Sequence, residues 1–227
     1  MTLRAVLFDV DFTLARPGPE LGPEGYRRLG ERFELTLDPT RYDDARVQAR
    51  ERLQRHPELL HDDEVWVAFT ADIIRGMGGT DPAAREAAVE MTRAWDVHHN
   101  FDLYEDAIPV LEELRRHGLK IGLVSNSGRD LDEFLAHHAL PVDTALASGA
   151  HGRTKPHASI FEAVLERLGV RPEEAAMVGD SPDDDVDGAR ALGMQAFLLD
   201  REGRHPEWEG RLTDLYALPA ALGLQRP

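Results

Sequence analysis

Asp9 and Asp11 stand two apart where the apolar run Ala5-Val6-Leu7-Phe8 ends. Residues i and i+2 of an extended chain point to the same side, so the spacing predicts two carboxylates sharing one small site. Like charges that close repel by on the order of a few kcal/mol at an effective dielectric near 20, so one is protonated or a cation lies between them. Asp180, after another apolar run, adds a third carboxylate, and an all-oxygen cluster without cysteine suits Mg²⁺. Taken alone, the first pair could equally cap a turn. Ser125-Asn126-Ser127-Gly128 follows the run Ile121 to Val124, where its backbone N–H groups and the Ser125 hydroxyl could hold an anion at a helix N-terminus. Ser and Asn also cap helices with no ligand present.

Lys155 precedes Pro156, which can take the first position of a helix while its predecessor stays extended. The 26 basic residues include only two lysines, Lys120 and Lys155. The ordinary reading of Lys155 is a solvated side chain. In so arginine-biased a chain, a lysine at a strand-to-helix corner points instead to a place that needs a compact ammonium. Between Gly179 and Gly188 lie Asp180, Asp183, Asp184, Asp185 and Asp187. Asp183 and Asp184 near a helix start favour the macrodipole, Asp180 sits at the strand end itself, and Asp185 in the first turn can face back towards it. The pairs His98-His99 and His137-His138 diverge on a helix, and no histidine has the i, i+4 spacing of a helical metal site, so packing or surface exposure is their default.

The elements that must position these residues follow from the same pattern. Apolar runs at Ala5 to Phe8, Ile121 to Val124, Ala175 to Val178 and Gln195 to Leu199 read as strands buried on both faces, with a weaker one near Thr144 to Ser148. Amphipathic helices alternate with them at Ile108 to His117, Leu131 to His138, Ile160 to Leu168 and Asp184 to Leu192, and Gly118, Gly169 and Gly193 stand where C-terminal caps belong. Alternation of this kind predicts a parallel α/β sheet, with ligands outside the carboxyl ends of its strands. About 80 residues without a strand signal separate the first strand from the next α/β unit. They read as helices at Glu24 to Phe33, Arg41 to Arg55, Asp63 to Arg75 and Pro82 to His98, an insert returning to the sheet near residues 15 and 99.

Composition narrows the classes. The 227 residues carry 42 acidic against 26 basic side chains, a formal charge of −16, and that field repels nucleic acid and anionic lipid. Cysteine is absent, which excludes disulfides, thiolate catalysis and Cys-ligated metal. No stretch approaches the apolar length of a membrane span, and the chain start turns acidic before it could act as a signal peptide. The expectation is a cytoplasmic protein with no nucleic-acid or membrane partner.

In this order and at these strand ends, the four clusters resemble the haloacid dehalogenase superfamily of phosphohydrolases. Asp9-Val10-Asp11-Phe12-Thr13-Leu14 looks like its DxDxT signature, Ser125 like the second-motif Ser/Thr, Lys155-Pro156 like the third-motif lysine, and Gly179-Asp180 through Asp185 like the GDxxxxD fourth motif. Phe12 stands where Gly is usual and would narrow the entrance, and Asp184 stands where Asn is usual. The resemblance implies a Rossmann-like core of residues 1–15 and 99–227 with an inserted helical C1 cap of residues 16–98. It also implies a Mg²⁺-dependent phosphatase acting on a small phosphorylated metabolite. Asp9 would be the nucleophile and Asp11 the general acid/base. Asp9, the backbone carbonyl of Asp11 and Asp180 would hold Mg²⁺, and Ser125, Asn126 and Lys155 would bind the phosphoryl group. Thr13 would support the first loop, and Asp185 would stand behind the metal or ligate it through water. A phosphomutase would keep all of these residues. A carbon–halogen hydrolase would need neither Mg²⁺ nor an acid at position 11, and a non-catalytic binding protein on this fold is expected to have lost the nucleophile or a metal ligand. Arg16, in the loop to Gly25, is a candidate contact for an anionic substrate.

Overall fold

The computed structural model describes residues 2–224. In chain order the elements are β1 (Ala5–Phe8), β2 (Ala15–Pro17), α1 (Pro23–Arg32), α2 (Tyr42–Arg52), α3 (Asp63–Gly76), α4 (Ala83–Trp95), β3 (Phe101–Leu103), α5 (Ala107–Arg116), β4 (Lys120–Ser125), α6 (Leu131–His138), β5 (Thr144–Ala147), α7 (Ser148–His151), α8 (Ala158–Leu168), β6 (Ala175–Gly179), α9 (Gly188–Ala191), β7 (Gln195–Leu198) and α10 (Leu218–Ala221). The chain divides into two compact units, with boundaries at Arg16/Pro17 and Asp102/Leu103.

The larger unit is built on a five-stranded sheet of order β5-β4-β1-β6-β7. Every pairing in it is parallel, with Phe8 opposite Leu123 on one side and Val178 on the other. Strands covered on both faces read as continuous apolar runs, and all four residues of β1 are buried. The face of α8 that carries Ile160, Phe161, Val164, Leu165 and Leu168 packs with Leu7, Val124 and Met177 in one core. The expected helix caps Gly118, Gly169 and Gly193 all have positive φ. Lys120 opens β4 and donates from Nζ to the Leu168 carbonyl at 2.6 Å, where an ammonium favours the negative end of α8.

The smaller unit holds α1 to α4, with α3 lying against both α2 and α4. The buried stripe of α4, Ala84, Ala87, Ala88 and Met91, follows the i, i+3, i+4, i+7 spacing of one helix face. The chain leaves and returns through β2 and β3, which pair as a two-stranded ribbon. The return falls later than the expected residue 99, because Phe101 stacks edge-on against Trp95 at 5.6 Å and the Gly18 N–H donates to the Asn100 carbonyl at 2.7 Å. The first contact ties the returning chain to α4, and the second ties it to the outgoing chain before α1.

Candidate active site

The carboxyl ends of β4, β1 and β6 lie side by side in the sheet, so Ser125, Asp9 and Gly179-Asp180 converge. Asp9 extends β1 by one residue, its N–H donating to the Val178 carbonyl at 2.9 Å. It is 6% exposed, and Lys155, 2% exposed, donates from Nζ to Asp9 Oδ1 at 2.6 Å and to Asp185 Oδ1 at 2.7 Å. Burial pushes the Asp9 carboxyl up to about 7 against the pull of Lys155, and the charges of Asp185 and Asp11 push the same way. Burial likewise raises Asp185 despite Lys155. For Lys155 burial acts to lower the pKa, but Asp185 and Asp9 outweigh it and hold the side chain as an ammonium. The solvated-lysine reading of Lys155 is therefore excluded.

Asp9, Asp180 and Asp185 each present an oxygen within 4.8 Å of the other two. The cluster differs from the expected trio of Asp9, Asp11 and Asp180. β1 ends at Phe8, and the Val10 carbonyl accepts from the N–H groups of Thr13, Leu14 and Ala15. Asp11 itself bridges to Ala15, and the chain turns at Phe12 to Leu14. Phe12, where Gly is usual, has φ +63°, a left-handed conformation that costs an L-residue roughly 1–2 kcal/mol. Asp185 takes the third place because its stretch, Pro182–Asp187, forms a wide π-type turn before α9 rather than the start of one regular helix. Asp185 Oδ2 accepts the Ser181 N–H at 3.0 Å, and a Cβ on Gly179 would lie 2.1 Å from that oxygen. Glycine at 179 is therefore what admits the carboxylate.

The helix read at Leu131 to His138 is α6 as observed, and the one read at Ile160 to Leu168 begins two residues earlier, at Ala158. Ser125 and Asn126 do not sit at the N-terminus of α6, which Asp130 caps by accepting from the N–H groups of Asp132 and Glu133. Pro156 does not open α8, whose cap is His157. Asn126 instead clamps the main chain of Lys155, with Oδ1 accepting its N–H at 2.7 Å and Nδ2 donating to its carbonyl at 3.2 Å. Ser125 Oγ lies 3.0 Å from Ser127 Oγ. The Thr13 hydroxyl is buried with no hydrogen-bond partner among the described residues. Its carbonyl takes Arg201 Nε at 3.2 Å and Nη2 at 2.9 Å, which braces the first loop through the main chain. The Arg16 guanidinium lies over the Tyr104 ring at 5.7 Å.

Three arginines at the site were invisible to the motif search. Arg129 is buried and grips Asp11 with both ends of its guanidinium, Nη1 to Oδ1 at 2.9 Å and Nη2 to Oδ2 at 3.2 Å. Arg201 pairs just as closely with buried Asp106, at 2.9 and 2.8 Å. Arg204 Nη2 reaches Asp180 Oδ2 at 2.9 Å, aimed by Asp200, which accepts the N–H groups of Arg204 and His205. One signal for Arg129 was available: a cation just ahead of a helix N-terminus stands at the wrong end of the macrodipole and needs an anion elsewhere.

The donor set fits a hard divalent cation. Three carboxylates meet, two of them buried, faced by the Lys155 ammonium and, at Asp180, the Arg204 guanidinium. Oxygen-only donors of this kind match Mg²⁺.

A parallel α/β sheet thus carries a buried Asp–Lys pair and, at its carboxyl edge, an acidic cluster able to hold a metal ion. The chain belongs to the haloacid dehalogenase-like hydrolase family, whose profile matches residues 3–193. It is 30% identical over 225 residues to the glyceraldehyde 3-phosphate phosphatase of Methanopyrus kandleri, covering 93% of this chain and 90% of that one. It is 41% identical over 136 residues to the phosphoserine phosphatase of Thermus thermophilus, covering 57% of this chain and only about half, 52%, of that protein. Among solved structures, a HAD phosphatase from Thermococcus onnurineus superposes with a TM-score of 0.66 at 29% identity, covering 99% of this chain and 100% of that one. Among the described residues no helix is long and apolar enough to cross a membrane.

Proposed function

We propose that this chain is a Mg²⁺-dependent phosphatase that hydrolyses a small phosphorylated metabolite through a phosphoaspartyl intermediate on Asp9. The observation that carries this reading is the buried Asp9 carboxylate 2.6 Å from Lys155 Nζ, with Asp180 and Asp185 within 4.8 Å. The names of the two relatives, both phosphatases of small phosphate esters, support it.

In this reading an oxygen of Asp9 attacks phosphorus and the ester oxygen leaves with a proton from Asp11. Water then attacks the acyl phosphate, giving its proton to Asp11, and inorganic phosphate departs with Asp9 restored. Asp9, the Asp11 carbonyl and Asp180 would hold Mg²⁺, which offsets the charge of a carboxylate approaching a phosphate dianion. Asp185 serves Lys155 and the Ser181 N–H directly, so it would reach the ion through water. The Ser125 hydroxyl and the Lys155 ammonium would bind phosphoryl oxygens, and Asn126 would fix the main chain from which Lys155 extends. The acid at position 11 separates this reading from a carbon–halogen hydrolase. We assign substrate choice to the helical unit, as its cap.

The test is Asp9→Asn, assayed with Mg²⁺ on a panel of phosphorylated metabolites beside a thermal melt. Loss of nearly all turnover with the melting temperature kept is expected. Retention of more than a few per cent of the wild-type rate would exclude Asp9 as nucleophile.

A further inference from the structure

We propose that Arg129 is a positioning residue that assigns Asp11 to proton transfer. The proposal rests on the phosphatase reading above and goes beyond it, because four carboxylates crowd this edge of the sheet and something must divide their work.

Asp11 sits in a tight turn past the end of β1, one residue before the left-handed Phe12, and its carboxylate is partly exposed. A short side chain in that setting has several staggered orientations open to it. Arg129 removes that freedom. Its fork meets both carboxylate oxygens at 2.9 and 3.2 Å, the planar two-point geometry that fixes orientation as well as charge. Arg129 is itself immobilised, with its side chain 1% exposed and its guanidinium carbon 5.2 Å from the centre of the Phe134 ring on α6, a cation–π contact. Each carboxylate oxygen keeps a second lone pair, so Asp11 can still exchange a proton with a substrate oxygen. The orientation of Asp11 is thereby set from the segment between β4 and α6, where Arg129 is buried, rather than from its own turn.

Proton donation matters in proportion to the basicity of the leaving oxygen, and that supplies a readout which a purely structural role would not move. The Mg²⁺-loaded protein is assayed for kcat/KM with benzyl phosphate and 4-nitrophenyl phosphate, esters of like size whose leaving oxygens differ widely in basicity. Wild type, Asp11→Asn, Arg129→Met and Arg129→Lys are compared. General acid catalysis is worth about 10²–10⁴-fold. Arg129→Met is therefore expected to lose about a hundredfold or more on benzyl phosphate and less than about tenfold on 4-nitrophenyl phosphate, the selective pattern of Asp11→Asn. Arg129→Lys keeps the charge without the fork and should lose selectively but less. If Arg129→Met fails to fold, Arg129→Lys decides: a selective loss supports the proposal, and a wild-type ratio between the esters overturns it. Equal losses on both esters in the Arg129 variants, beside a selective loss in Asp11→Asn, overturn the proposal alone. No selectivity in Asp11→Asn overturns the assignment of Asp11 as well, and no hydrolysis by wild type overturns the phosphatase reading itself.

Discussion

Gly179→Ala places a methyl group where the buried carboxylate of Asp185 now lies. The new Cβ would stand 2.1 Å from Asp185 Oδ2 and 2.3 Å from its Cγ, against an ordinary contact of 3.4 Å. Asp185 must therefore retreat by about 1.3 Å, or the end of β6 must shift by as much. A retreat of that size breaks the 2.7 Å bond from Lys155 or the 3.0 Å bond from the Ser181 N–H. Overpacking costs roughly 1–3 kcal/mol, and a hydrogen bond to a charged group about 1.5–3 kcal/mol. The sum after partial relaxation is about 3–5 kcal/mol. For a chain of this length about 2–4 °C of melting temperature goes with each kcal/mol, so scanning calorimetry should show a fall of about 6–20 °C. The cation site should suffer as well, with Mg²⁺ affinity by titration calorimetry down about tenfold or more, as when the group supporting a ligand is displaced. Adding Asp185→Gly removes the obstacle, so the double variant should cost less than the two single costs combined. A melting temperature within about 2 °C of wild type together with unchanged Mg²⁺ affinity would refute the packing argument.

Chelation with EDTA should silence hydrolysis, Mg²⁺ should restore it, and Ca²⁺ should inhibit, because its looser shell misplaces the attacking carboxylate. Since burial lifts Asp9 to about 7 in the metal-free chain, protons compete with the cation. Mg²⁺ affinity should therefore fall as pH drops through 7, and a pH-independent affinity from 6 to 8 would contradict this assignment of Asp9. Lys155→Ala should cost kcat/KM on the order of a hundredfold or more, Arg153→Ala far less for the same charge change, and Lys155→Arg should not restore activity because a planar fork does not fit between two carboxylates. Equal, mild effects of both alanine variants would count against it. Burial alone would raise Asp200, but the N–H groups of His205 and Arg204, with the charges of His205 and Arg211, hold it below the usual carboxylate range. Its contribution is then present above the unfolded value near 3.9 and is lost as pH falls through the lower folded value. The gap in melting temperature between wild type and Asp200→Asn should be full at pH 7 and shrink below pH 4, and a gap constant across that range would exclude the mechanism.

The parallel sheet could be read from β1, β4 and β6 because strands buried on both faces carry uninterrupted apolar residues. Asp9 and Asp180 followed from their positions just after such runs. Asp11 stands near enough for its charge to act on Asp9, but its carboxylate pairs with Arg129 and lies outside the cluster of Asp9, Asp180 and Asp185. The bounds of α6 could be read as they stand, but Ser, Asn and Pro all suit helix starts, and only the folded chain shows that Asp130 and His157, not Ser125-Asn126 and Pro156, are the caps. Arg129 escaped because its partner lies 118 residues away, and an ion pair between distant segments leaves no periodic trace. The ribbon of β2 and β3, three residues each, is too short to carry a strand pattern.

The placement of the two lysines has a practical consequence for anyone handling the protein. Lys155 is sealed between two carboxylates, which leaves Lys120 as the side-chain amine within reach of an acylating reagent. Lys120 begins β4 and Ser125 ends it, so a tether or dye attached there sits at the opposite end of the sheet from the acidic cluster. Coupling the protein to a surface through its side-chain amines should therefore present every molecule in one orientation, with the carboxyl edge of the sheet turned away from the support. Lysine-selective labelling should then yield a singly modified side chain that still hydrolyses substrate.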